Sequence, residues 1–157
     1  ALPRSGTFSP LAVTGDYVQP RGFGLNGIRD LPNGDLLTVS GGVLYVVDPR
    51  SGQADRVEQR GRALTAGDGL ELVGRDLYVV NGYGGNEVVQ LRLERGDAET
   101  TVTQVLDQGD TASVLDRPTT GAFVGGDLYV VNGRFGAVAG SVNNGRDLDF
   151  TVSRFGL

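Results

Sequence analysis

The chain has 157 residues, 39% hydrophobic and 21% charged, with 26 glycines and a net charge of −5. That length fits about one domain, the glycine content suits a turn-rich all-β chain rather than a disordered one, and the acidic balance argues against nucleic acid or an anionic membrane as partner. With no cysteine, no histidine and arginine as all 14 basic residues, disulfides, thiolate or imidazole metal sites, a Ser-His-Asp triad, a Schiff-base lysine and a Walker phosphate loop are excluded. Any catalysis is left to carboxylates, amides, hydroxyls, tyrosine, arginine or a bound metal. No apolar run approaches the roughly 20 residues that span a bilayer as a helix. A chain opening at Ala1 without methionine reads as a processed or partial product.

In chain order, residues 7–16 (TFSPLAVTGD) read as a lone strand. Residues 27–31 and 35–39 are strands around a tight Pro32-Asn33-Gly34 turn. Ser40-Gly41-Gly42 turns into a strand at 43–47, and residues 48–52, with Pro49 near the start and Gly52 at the end, turn into a more polar strand at 54–59. The plan repeats: strands at 70–73 and 76–80 flank Gly74-Arg75, a longer turn at 81–86 leads to 87–93, and Arg95-Gly96-Asp97 turns into 100–106. It repeats again with strands at 122–124 and 127–131, a glycine-rich loop around 136–145 and a last strand at 148–155, after which no fourth strand follows. No segment sustains a 3.6-residue period, so no helix longer than a turn is expected.

One phrase recurs in each repeat: Asn33-Gly34-Asp35-Leu36-Leu37-Thr38-Val39, Gly74-Arg75-Asp76-Leu77-Tyr78-Val79-Val80 and Gly125-Gly126-Asp127-Leu128-Tyr129-Val130-Val131. Leu36, Leu77 and Leu128 lie 41 and 51 residues apart. A period of roughly 40–50 with strand chemistry points to propeller blades of four antiparallel strands. The expected fold is therefore all-β: one partial β-propeller over 1–157, with a lone strand in 1–20, blades at 22–62 and 64–108, and a blade at 114–157 lacking its outer strand. Propellers usually have about four to eight blades. About three blades are half of a six-bladed ring, and the lone N-terminal strand is expected to close it by pairing with the blade at the other end. A free half-ring would expose blade faces and sheet edges, so a second half is expected, either another copy or a separate N-terminal chain.

Two motifs stand before the innermost strands, Leu25-Asn26-Gly27-Ile28 and Ala66-Gly67-Asp68-Gly69-Leu70. Innermost strands line a propeller's channel, so residues at their starts converge on its mouth. Asn26 and Asp68 offer hard oxygen donors for Ca²⁺, Mg²⁺ or Mn²⁺, and Asp68 offers a general base toward a metal-bound water. The plainer alternative is that Asn-Gly and Asp-Gly are turn formers. The third copy, Pro118-Thr119-Thr120-Gly121, holds threonine where the others hold Asn and Asp. Tyr45, Tyr78 and Tyr129 recur within the blades and read as inter-blade packing. Asn81-Gly82 and Asn132-Gly133 read as turns. Arg134 and Arg154 are surface arginines able to hold a substrate carboxylate.

The stretches LNGIRDLPNGDLLTV, GVLYVVDPRSGQADRV, AGDGLELVGRDLYVVNG and RPTTGAFVGGDLYVVNGRFG, spanning most of residues 23–136, resemble the C-terminal half of the senescence marker protein / gluconolactonase / luciferin-regenerating-enzyme-like superfamily of six-bladed propellers. The resemblance implies one divalent cation at the channel mouth, calcium first with magnesium, manganese or zinc as alternatives, and hydrolysis of a small-molecule lactone or ester. Asn26 matches the Asn of the family's NG motif. Asp68 matches the Asp of its DG motif, both a metal ligand and the acid/base group. The family's first-blade Glu and other Asn have no counterpart here. The competing expectation is a non-catalytic propeller module, natural or engineered, that binds a partner or self-assembles as a half-propeller.

Overall fold

The computed structural model describes residues 9–157, and strands dominate it. The first sheet holds β1 (Thr14–Gly15), β2 (Leu25–Asp30), β3 (Leu36–Ser40), β4 (Val43–Val47) and β5 (Gln53–Arg56) in the order β1-β5-β4-β3-β2. The second holds β6 (Glu58–Arg60), β7 (Leu70–Val73), β8 (Asp76–Asn81), β9 (Glu87–Leu93) and β10 (Glu99–Leu106) in the order β6-β10-β9-β8-β7. The third holds β11 (Pro118–Val124), β12 (Asp127–Asn132) and β13 (Val152–Phe155). Each is an antiparallel meander running outward from its first full strand, and successive sheets pack face to face as in a partial β-propeller.

Turn chemistry sets the meander. Asn33 accepts the Asp35 amide (3.1 Å) while Gly34 takes a φ of 92° that a side chain would resist. Asp48 accepts the Arg50 amide on its carboxylate (2.7 Å) and the Gly52 amide on its carbonyl (2.8 Å). The Arg50 amide first, and then the Ser51 hydroxyl (2.9 Å), hold the Asp48 carboxyl below its ordinary value.

Alternation along the strands builds two inter-blade cores. Leu37, Val39 and Leu44 of the first sheet meet Leu70, Leu77, Val79, Val89 and Leu91 of the second. On the second sheet's other face, Tyr78, Val80 and Val88 meet Leu128, Val130 and Phe155 of the third. Tyr78 stacks edge-on against Phe123 at 4.9 Å, the inter-blade packing its recurrence implied. Tyr45 packs instead against Tyr17 of the N-terminal segment (5.5 Å), and Tyr129 lies on the third sheet's outer face, away from the second.

Five elements depart from expectation, the first being the inner strand expected at 122–124, which as β11 starts four residues earlier at Pro118. The lone strand shrinks to β1 and pairs in parallel with β5 of the first sheet, through Thr14↔Gln53 and Gly15↔Ala54, rather than with the last blade; residues 7–8 of that expected strand lie outside the described residues. The strand expected at 54–59 divides at Val57, which is buried between the first two sheets, so β5 stays in the first sheet and β6 crosses to pair in parallel with β10. The loop after β12 contains a helix, α1 (Phe135–Gly140), longer than one turn. The last strand begins at Val152 rather than 148, because residues 144–148 are drawn into turns by Arg146 N–H to Asn143 and Leu148 N–H to Gly145.

Candidate functional site

The strand registers fix which residues are equivalent between blades. Arg29 pairs with Leu37, Glu71 with Tyr78 and Ala122 with Tyr129. Counting back along each inner strand makes Asn26, Asp68 and Thr119 equivalent, and likewise Gly27, Gly69 and Thr120. The third copy is thus offset by one from its sequence alignment on Gly121, and the inner strands of the first and third blades carry an irregularity at the same place, between Leu25 and Ile28 and between Pro118 and Thr120. Arg29 and Glu71, also equivalent, form an ion pair between neighbouring inner strands.

The glycines of the NG and DG motifs serve close approach between blades. The Gly27 N–H donates to the Asp68 carbonyl at 2.7 Å, and the Gly69 N–H to the Thr119 carbonyl at 2.7 Å. A Cβ on Gly27 would lie 2.3 Å from that Asp68 oxygen, and one on Gly69 2.6 Å from the Thr120 Cα. Backbone packed on backbone leaves no room for a side chain, and it fixes the residue before each glycine where the inner strands begin.

Asn26, Asp68 and Thr119 therefore come together on one cavity of about 710 Å³. Burial pushes the Asp68 carboxyl above its ordinary value of 3.8, while the Asn26 side chain beside it acts in the opposite direction. The connections on this side of the sheets lengthen along the chain: Gly41-Gly42, then residues 82–86, then 133–151. They supply the rest of the lining: Tyr83, and Phe135 at the start of α1, with Arg21 and Phe23 arriving from the segment before β2. Three exposed aromatic rings and two opposite charges, Arg21 and Asp68, thus line the same cavity. The Arg117 guanidinium lies 5.4 Å from the centre of the Tyr83 ring and steadies that wall.

The other residues singled out from sequence are committed to structure. Arg134, in the left-handed region at φ 49°, donates to Asp116 (3.0 Å) and to the Asp149 carbonyl (2.9 Å) at the start of α1. Arg154 pairs with Asp127 across β12 and β13 (2.8 Å). Asn81 is fully buried and accepts the Ala66 amide (2.8 Å), and Asn132 accepts the Asp116 amide (2.9 Å). Each clamps the segment that leads into an inner strand, a role beyond the turn expected for it.

As a cation site, Asn26 and Asp68 have the right chemistry and too few atoms. Hard divalent ions favour amide and carboxylate oxygens, and Ca²⁺ takes about six to eight of them. Thr119 adds a hydroxyl to the same cavity. Among the described residues no group of three or more carboxylates, histidines or cysteines is gathered that could hold a metal.

No protein-family model matches the chain, and no curated protein matches it. Solved structures share its fold. A putative 6-phosphogluconolactonase from Bacteroides uniformis aligns with a TM-score of 0.57 at 15% identity, over 91% of this chain and 41% of that one. A protein of unknown function from Bacteroides caccae aligns with a TM-score of 0.52 at 19% identity, over 68% of this chain and 38% of that one. The chain spans about two fifths of the length of either. At these identities the likeness is one of fold.

Arg21, Phe23, Tyr83 and Phe135 escaped the sequence reading. Each lies on a connection outside the repeat, so no spacing marks it. The one available signal was aromatic residues in glycine-rich connections, on the side of the sheets where the inner strands begin.

Proposed function

We propose that the chain is part of a divalent-metal-dependent lactone or ester hydrolase of the lactonase-like propeller type, completed by a second propeller half. The observation that carries this reading is the meeting of Asn26 and Asp68 in an aromatic-walled cavity, with the Asp68 carboxyl desolvated. The resemblance of the NG and DG motifs to the senescence marker protein / gluconolactonase superfamily supports it, as does the fold shared with the putative 6-phosphogluconolactonase.

The exposed rings of Phe23, Tyr83 and Phe135 offer apolar surface for the body of the substrate. Arg21 is the cation available to a polar or anionic substituent. Asp68, ionised, takes the proton of the attacking water as a new C–O bond forms at the acyl carbon. It returns that proton to the leaving oxygen as the ester C–O bond breaks, and the products are the hydroxy acid, or acid and alcohol. A carboxyl with a raised pKa suits both halves of the exchange. Asn26 and Asp68 would hold the cation, which when bound polarises the carbonyl and acidifies water.

Calorimetric titration with CaCl₂ and MnCl₂ tests the site. Binding by the wild type that weakens at least tenfold in Asp68→Ala is the expected result; equal affinity in the two proteins would remove Asp68 from the ligand set.

A further inference from the structure

We propose that two copies of this chain join head to tail, the outer face of the third sheet of each receiving the first sheet of the other. The N-terminal segment of each copy then supplies a strand to the edge of the other's third sheet that is open among the described residues. The inference rests on the repeat geometry and is independent of the hydrolytic reading.

Tyr45 and Val47 on the first sheet's outer face are already covered by Val13 and Tyr17 of the N-terminal segment, but other side chains that are buried between blades in one repeat are bare at the two ends of the array. Ile28 of β2 is 51% exposed, whereas its equivalent Leu70 in β7 is 1% exposed against the first sheet. At the other end, Val131 and Val152 are 41% and 54% exposed, whereas their equivalents Val80 and Val88 are both 0% exposed against the third sheet. One end thus offers the face that receives a preceding blade, and the other the face that receives a following one. The two faces are of the kinds that already meet twice within the chain, in apolar cores.

The edges match as well. The Thr14 N–H donates to the Gly52 carbonyl (2.9 Å) as the Glu58 N–H donates to the Ala98 carbonyl (2.8 Å). Thr14 pairs in parallel with Gln53 as Glu58 does with Glu99. β1 is therefore the counterpart of β6. What precedes β6 is β5, the outer strand of the preceding blade, so residues 9–12 stand where a preceding blade's outer strand would be. In the third sheet β13 pairs only with β12, and its outer edge is open among the described residues. Ser9, Pro10, Leu11 and Ala12 are all exposed, and Pro10 is compatible with an edge position.

By the register of β4 with β5, in which Val46 faces Asp55, Leu11 of one copy would face Arg154 of the other. Strand addition of this kind covers an edge that otherwise invites aggregation. It would also bring a second Asn26 and Asp68 to the same channel, doubling the donors to a cation.

Light scattering on the purified chain should give twice its 16.5 kDa mass. Ile28→Asp alone and Val131→Asp alone should each give the single-chain mass with unchanged far-ultraviolet circular dichroism. Mixing the two should restore the doubled mass, because one intact face remains on each. Under oxidation, Leu11→Cys/Arg154→Cys, in a chain otherwise free of cysteine, should run as a covalent dimer. A single-chain mass for the folded wild type at high concentration would overturn the proposal. So would a dimer whose two face variants fail to complement each other, or an absence of cross-linking in a dimeric double-cysteine variant.

Discussion

The Gly27 amide meets the Asp68 carbonyl at 2.7 Å, and the residues on either side of that bond divide the work. The glycine lets two inner strands touch, and Asn26 and Asp68 are held on one cavity as a result. The same bond recurs from Gly69 to Thr119, so the device belongs to the repeat.

Substituting either glycine should therefore cost stability. Gly27→Ala sets a methyl 2.3 Å from a backbone oxygen, and Gly69→Ala sets one 2.6 Å from a backbone carbon. Neither partner can rotate away, so each variant should lose about 1–3 kcal/mol in urea denaturation, the usual range for overpacking. Gly140→Ala is the control: at the end of α1 its Cβ would meet nothing within 4 Å, and its midpoint should stay level or rise.

The buried asparagine clamps should matter comparably. Asn132→Ala leaves the Asp116 amide without its side-chain partner, while the Val114 carbonyl keeps only the Ser153 hydroxyl. A loss of about 1–3 kcal/mol follows from leaving buried polar groups unpaired. Amide hydrogen exchange should quicken at Asp116 in particular, localising the damage to the segment leading into β11.

Asp68 should leave a signature in the pH dependence of stability. Its folded pKa is raised above 3.8 by burial, so across the window between the unfolded and folded values the folded chain binds more proton. Stability then falls as pH rises through that window and stays lower above it. Asp68→Asn removes the effect. The urea midpoint of the variant, relative to wild type, should therefore climb between about pH 3 and about pH 7; a constant difference would mean that the carboxyl is not desolvated.

The aromatic wall should act on binding more than on chemistry. Removing the ring in Phe23→Ala or Phe135→Ala takes away contact shared by ground state and transition state, so KM should rise with kcat nearly unchanged. Steady-state kinetics on one lactone substrate separate the two parameters.

The blades and the candidate pair were legible because both follow the repeat. The recurring Asp-Leu phrase, led by Asn33-Gly34, Gly74-Arg75 or Gly125-Gly126, marks the turn into β3, β8 and β12, and alternation marks their buried faces. Asn26 and Asp68 could be found because each precedes a repeated glycine. What failed to show lies where the repeat is broken. The third copy carries its glycine one residue late, at Gly121, so alignment on that glycine points to Thr120 where the register makes Thr119 equivalent. The helix at Phe135–Gly140 has no side-chain cap and starts from a left-handed arginine, so it carries no terminal signal in sequence. The parallel edge strands β1 and β6 are short, polar pieces whose partners lie some 40 residues further along the chain, a distance over which local pattern says nothing.

The most direct measurement is lactone hydrolysis with CaCl₂ or MnCl₂ present, comparing wild type with Asp68→Asn. The substitution keeps the shape of the side chain and removes its proton chemistry. Turnover by the wild type, with kcat falling at least about 100-fold in the variant, is the expected result for loss of a general acid/base. Equal rates in the two proteins, or no turnover by the wild type, would contradict the assignment of Asp68 as the centre of the site.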